Sequence, residues 1–384
     1  MPKKLYVGVD HVARKGKKMY FGAENVARKV KKGYIGVGGV ARPFFSGGEL
    51  VYYGSVTNLD YARGLLAATT VGNYALFAGG YMSLKVSNSK ISAIVDAYNA
   101  QLTHSTPTVL SLNRSHLSAT SVGNYAVFGG GYCSPDVVDR VDYYNASLTR
   151  YIAKSLSVSR LELSATTVGN YALFGGGRKG MSSSSANTVD AYDTSMTRTT
   201  PDTLRSAACN LEATAVGAYA IFAGGENNNY VTAYDTSLTK SLPSVLSETK
   251  WYHAATTVGN YALFGGGRTQ VSGADVVTAV VNAYNASLTR SIITDLSAAR
   301  ANLKATTVRN YAIFAGGVAS AVCGTADIYD ESLVRTIGTS LSVTRVNHAA
   351  ATIGNYALFG GGEASIGGYA TSGKIKSVEA YTVA

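Results

Sequence analysis

An all-β chain assembled from seven copies of one four-stranded unit is the fold class the sequence predicts, and three observations predict it. A segment resembling Gly-Asn-Tyr-Ala-Leu-Phe-Gly-Gly recurs seven times and sets Phe77, Phe128, Phe174, Phe222, Phe264, Phe314 and Phe359 at equivalent points. The first and last Phe lie 282 residues apart, a mean period of 47, which suits a propeller blade and is too long for most helical repeats. With 42 Gly, 27 Tyr, 46% apolar and 15% charged residues, the chain is turn-rich with ample core, neither disordered nor membrane-spanning. A repeat array overrides the usual reading of length as domain count. The expectation is one seven-bladed β-propeller over residues 46–384 and a small β-hairpin appendage over residues 1–45.

The appendage has its own period of fourteen. Tyr6-Val7-Gly8, Tyr20-Phe21-Gly22 and Tyr34-Ile35-Gly36 are each followed by Val-Ala-Arg, at Val12, Val26 and Val40. Asp10-His11, Glu24-Asn25 and Gly38-Gly39 fall where a two-residue turn belongs, so each unit reads as a β-hairpin. Arg14, Lys15, Lys17 and Lys18 tie the first hairpin to the second, and Arg28, Lys29, Lys31 and Lys32 the second to the third. Residues 1–45 carry +9 of the chain's +11, so the basic excess belongs to the appendage and the ring is near neutral. A fragment this short and charged buries no core alone. It is expected to pair with copies of itself in a homo-oligomer or to dock on a partner, and its basic residues are the candidate attachment set. The chain opens on Met-Pro-Lys-Lys without the apolar stretch of a secretory signal and holds no run of eighteen apolar residues, so synthesis in a cytoplasm and no membrane partner are expected.

The ring begins with a strand that has no hairpin of its own. Residues 51–63 put Leu59 four residues before Arg63, as Leu110, Leu156, Leu204, Leu246, Leu296 and Leu341 stand before their own repeats, while the last repeat ends three residues past Tyr381. The N-terminal strand is therefore expected to supply the fourth strand of the C-terminal blade and pair both open edges. Within a repeat, taking residues 160–208, Ser164 to Val168 is an inner strand, Gly169-Asn170 a tight turn, and Tyr171 to Phe174 a second strand ending at Gly176-Gly177. Thr188 to Tyr192 is a third strand, turned by Asp193 through its own backbone, and the fourth runs from Met196. Sixteen residues separate each strand-three Tyr from the next opening position, whereas nine to nineteen separate the Gly-Gly doublet from the Tyr. All the length variation thus lies between strands two and three.

The Gly-Gly doublet, the strand-three Tyr and the opening Arg (Arg63, Arg114, Arg160, Arg300, Arg345) resemble the kelch repeat over residues 50–384, which implies the kelch-like propeller. The strand-four Trp of kelch repeats is missing, and Ala208 and Lys250 stand in place of Arg. The fourteen-residue unit resembles repeats of structural proteins in phages and prophages of Gram-positive bacteria, which implies a virion or tail particle with these hairpins as the attachment end and other tail proteins as partners. Nucleic-acid binding is disfavoured because no aromatic platform or recognition helix accompanies the basic residues.

The sequence carries no catalytic signature. His116, His253 and His348 recur near the start of strand one in different repeats and read as satisfied structural imidazoles, with no copper-type cluster, so neither metal nor cofactor is expected. Cys133, Cys209 and Cys323 are scattered and read as buried free thiols. The recurring Arg residues either bond carbonyls of neighbouring blades or form a ring for a polyanion, and their regular recurrence favours the first. Asn113, Asn145 and Asn285 match glycosylation triplets but read as turn chemistry. What remains are the variable connections, all expected on one face, with Tyr132, Arg178, Lys179, Asn227, Asn228, Asn229, Tyr230, Arg268 and Gln270 as candidate binding residues. The expected function is a non-enzymatic virion or tail protein whose loops bind a host-surface glycan or protein. The alternatives are a carbohydrate-active propeller enzyme and a purely structural decoration protein.

Overall fold

The computed structural model describes the strands between residues 6 and 45 and residues 83–86 and 89 as backbone, and residues 48–82, 90–181, 184–365 and 373–383 with their side chains. The N-terminal strands pair as three antiparallel hairpins, Tyr6–Val9 with Val12–Lys15, Met19–Ala23 with Val26–Val30, and Gly33–Val37 with Val40–Phe45. The pairings Val9↔Val12, Ala23↔Val26 and Val37↔Val40 leave two residues for each turn, as the fourteen-residue period requires. The turn residues, with Lys17, Lys18, Lys31 and Lys32, lie outside the described residues, whereas Arg14, Lys15, Arg28 and Lys29 sit on the second strands of the first two hairpins.

The fold is all-β. Among the described residues there is no helix, hence none long and apolar enough to cross a membrane, and seven four-stranded antiparallel sheets follow residue 50. Their first strands are Ala67–Val71, Ser118–Val122, Ser164–Val168, Glu212–Val216, Ala254–Val258, Lys304–Val308 and Ala349–Ile353, which number the sheets one to seven. In sheet three, Val168 pairs with Tyr171 around Gly169, whose φ of 52° is the conformation a bulkier residue resists, and the fourth strand is only Arg198–Thr199. A Cβ on Gly176 would lie 2.7 Å from the Ala208 carbonyl oxygen, so the doublet is where two sheets' backbones meet. Asp193 Oδ1 accepts from the Ser195 and Thr197 N–H groups, and Asn145 and Asn285 do the same in their sheets.

Sheet seven takes its fourth strand from the other end of the chain. Leu50–Val56 pairs with Val378–Val383, from Val383↔Leu50 to Val378↔Val56 with an irregularity at Ala380/Tyr381. Each sheet packs one face on the next. Leu173, Val189 and Ala191 of sheet three meet Phe222 and Tyr234 of sheet four, and the same arrangement recurs through the series until Leu358, Val378 and Ala380 of sheet seven meet Phe77 and Tyr98 of sheet one. Seven Tyr hydroxyls reach across these boundaries to a backbone carbonyl of the preceding unit, from Tyr98 to Thr57 and Tyr192 to Lys154 through Tyr381 to Thr339. Burial pushes all seven phenols up in pKa.

The recurring arginines are framework, but with partners other than those expected. Each is at most 1% exposed, so none is open to a polyanion. Each has carbonyl partners in its own repeat, as Arg160 to Gly176 and Thr188, three also donate to the carbonyl two residues ahead (Tyr61, Ala298, Val343), and each meets a buried carboxylate: Asp96, Asp142, Asp190, Asp327 or Glu379. The same carboxylate accepts a backbone N–H from the segment ahead of the Arg, as Asp190 does from Ser157. Where Arg is lost, the acid is lost with it. Ala208 goes with Thr232 in sheet four and Lys250 with Asn282 in sheet five, and Thr232 and Asn282 still accept the N–H of Arg205 and Ser247. A buried charge left alone would be strongly destabilising, so the pair changes as a pair. Lys250 donates to the Val280 carbonyl at 2.7 Å and takes a different acid, Glu248 at 3.2 Å, while burial lowers it to about 8.

Candidate functional site

The residue two positions after each framework position adopts a left-handed backbone, φ 51–58°, in all seven repeats: Leu65, His116, Glu162, Asn210, Tyr252, Asn302 and Asn347. Their peptide groups bond head to tail. His116 N–H donates to Leu65 O, Glu162 to His116, Asn210 to Glu162, Tyr252 to Asn210, Asn302 to Tyr252, Asn347 to Asn302, and Leu65 to Asn347. These seven residues line a cavity of about 480 Å³. In six repeats the residue that follows the Gly-Gly doublet is bridged to the strand-one lead, as Arg178 to Leu161 and Arg268 to Trp251; Arg178, Arg268 and Val318 join the cavity wall.

The wall is asymmetric in charge. Arg178 meets Glu162 at 3.1 Å and Glu226 at 3.0 Å, with Cys209 Sγ 3.3 Å from its Nη2. Burial raises the Glu162 carboxyl, opposed by Arg178, and burial with Glu162 alongside pushes the Tyr252 phenol up to about 12. Burial, then Lys374 and Arg178, bring His116 down to about 4. Asn302 Nδ2 donates to Asn347 Oδ1 at 3.0 Å. Two positions further along strand one, Glu212 and Lys304 pair at 2.8 Å across sheet five, where the other five repeats have Ala67, Ser118, Ser164, Ala254 and Ala349. That chord separates the mouth from a second cavity of about 330 Å³ lined by Thr69, Thr70, Thr214, Thr256, Thr306 and their neighbours.

Of the expected binding residues, the structure brings Arg178 and Arg268 together in this recess. Lys179, Asn227 and Gln270 are exposed on the connections, Tyr230 stacks under Arg205 at 4.3 Å, and Tyr132 is half-buried on its own short strand. Asn228 is 7% exposed and accepts the Tyr230 N–H, and Asn229 Nδ2 donates to the Leu246 carbonyl, so both brace the turn. Cys209 is buried, but Cys133 and Cys323 are only half-buried; all three are free.

The three recurring histidines are not one set. His116 belongs to the left-handed ring, whereas His253 and His348 take the next slot, where the other sheets put Leu66, Leu117, Leu163, Leu211 and Leu303. They are not satisfied imidazoles. Neither ring nitrogen of His253 has a hydrogen-bond partner among the described residues, and His348 faces the Ala315 carbonyl without normal hydrogen-bond geometry. Among the described residues no group of three His, Cys, Asp or Glu could hold a metal. The recess does not show in the sequence because its seven inner positions hold five residue types, with Asn alone recurring; only their constant place two residues past each opening position marks them. No family model matches the chain, and a search of the curated proteins finds no similar one.

Proposed function

We propose that the seven sheets are the blades of a kelch-like propeller and that this propeller is a non-enzymatic binding head, carried on a virion or tail-like particle by the N-terminal hairpins. The cyclic packing of sheets, from sheet seven back to sheet one, and the strand that Leu50–Val56 gives to sheet seven support the closed ring. One observation carries the binding reading. At the mouth the backbone repeats seven times while the side chains do not, so a symmetric scaffold presents one unsymmetric recess on a single face. The basic hairpins support the attachment role, since two-stranded units are marginal alone and gain stability from other tail proteins or from copies of this chain. The protein is then made in the host cytoplasm and assembled into the virion, where its recess and connections meet a host-surface glycan or protein.

Full-length protein should co-sediment with its particles and bind host cells or cell-wall glycans, and replacing Arg14, Lys15, Arg28 and Lys29 together should abolish co-sedimentation without changing cell binding. Protein that neither co-sediments nor binds sinks the reading. Turnover on a glycan panel would replace it with an enzyme.

A further inference from the structure

Resting on the binding reading, we infer that the recess takes a saccharide bearing one anionic substituent, a carboxylate or a phosphate, with Arg268 as the residue that receives the anion. The cations around the mouth differ in how far they are already used. Arg178 is held between Glu162 and Glu226, Lys304 is paired with Glu212, and Lys374 with Glu363 at 2.7 Å. Arg268 lines the same cavity, half-buried, and its guanidinium has no hydrogen bond or ion pair among the described residues. A planar guanidinium in a recess is suited to two-point bonding of a carboxylate or phosphate, and partial burial strengthens the contact over its value in open water.

The rest of the wall decides what carries the anion. Asn210, Asn302 and Asn347 offer carboxamides, Tyr252 a phenol on an aromatic ring, and Glu162 a carboxylate, a set that both donates and accepts. Such a wall matches a ligand with many hydroxyls. An apolar ligand would strand these groups unpaired. A nucleic acid, with a charge on every residue, would need several free cations where the described wall has one. At about 480 Å³ the cavity lies within the ~300–1,000 Å³ range of small-molecule sites.

The test is calorimetric titration of the full-length protein with a neutral oligosaccharide, the same backbone bearing a carboxylate, and the same backbone bearing a phosphate. Both charged ligands should bind more tightly than the neutral one. Arg268→Ala should weaken the charged ligands about 10–100-fold, the value of a charged hydrogen bond, and leave the neutral one within about twofold. Arg268→Lys should recover phosphate binding more than carboxylate binding, since an ammonium meets phosphate as a point charge but cannot make two parallel bonds to a carboxylate. An unchanged melting curve for Arg268→Gln guards against a folding artefact. If the neutral ligand binds as well as the charged ones, or Arg268→Ala changes nothing, the anion assignment is overturned while the binding head stands. If no saccharide binds and host cells are not bound either, both fall.

Discussion

Arg160→Ala tests the framework directly, because the molecule already contains the answer in sheet four. Arg160 donates to the Gly176 and Thr188 carbonyls and meets Asp190, with both side chains fully buried. Removing the guanidinium alone leaves the Asp190 charge without its main partner, Arg198 being 3.7 Å from the other carboxylate oxygen, and should cost about 3–5 kcal/mol. Asp190→Thr alone leaves a buried guanidinium uncompensated and should cost a similar amount. The double variant reproduces the Ala208 and Thr232 arrangement, in which threonine still accepts the backbone N–H that Asp190 takes from Ser157. The charge penalty then disappears from both sides. Only lost packing and three carbonyl contacts, to Phe174, Gly176 and Thr188, remain, and the double variant should be more stable than the sum of the singles by about 2–3 kcal/mol. Equilibrium urea unfolding of the four proteins at one pH measures the coupling. Strict additivity, within about 0.5 kcal/mol, would refute the claim that the arginines are retained as pairs.

Three further outcomes follow from the packing. Burial, with Lys304 and Lys250 or Arg345 near, holds His253 and His348 well below the ordinary 6.5, so the unfolded chain binds protons that the folded chain does not; stability should be full above about pH 6.5 and fall as pH drops below it. His253→Leu/His348→Leu, which puts the leucine of the other five sheets in both slots, should flatten the difference in melting temperature between pH 7.5 and pH 5 relative to the parent; an equal acid-induced drop in both proteins would count against it. Tyr192→Phe should cost about 1 kcal/mol in urea unfolding through the lost hydroxyl bond to Lys154 O, and an unchanged midpoint would deny these hydroxyls a latching role. Deleting residues 50–58 removes the fourth strand of sheet seven and the Thr57 carbonyl that receives Tyr98, and should give unfolded or aggregated protein by light scattering; an unaltered melting transition would refute the closure.

The framework was legible because its residues are each required by a local backbone need. Gly169 opens a turn at positive φ, Gly176 sits where a Cβ would strike a carbonyl, and Asp193 caps its own turn, so the same letters recur wherever the geometry does. The acceptor position that serves each opening residue was hidden because it is Asp or Glu where Arg stands and Thr or Asn where Arg is lost, and only its role as acceptor of a backbone N–H is constant. Loop composition drew in Arg178 and Arg268 together with residues at the loop tips, such as Lys179, Asn227 and Gln270, which the recess does not include. Arg178 and Arg268 count because each directly follows its doublet and leans on the mouth, a place set by the bridges to Leu161 and Trp251 and not by their being in a variable stretch.

The mouth also stands apart energetically. Left-handed backbone at non-glycine residues occurs at a second recurring place, the turn between strands three and four, at Leu102, Leu148, Met196, Leu238, Leu288 and Leu333. There the cost, about 1 kcal/mol each, has an evident return. The residue is leucine or methionine every time, and each side chain joins one of the apolar clusters between sheets. At the mouth the same backbone is occupied by Asn in three repeats, where it is least costly, but by Leu65, His116, Glu162 and Tyr252 in the others. No shared packing role explains those four, since they differ in size, charge and hydrogen-bonding capacity. If folding alone chose these residues, Asn or Gly would serve at all seven positions. That Glu162 and Tyr252 stand together beside Arg178, on the wall that also holds Arg268, is the departure from symmetry on which the proposed binding reading rests.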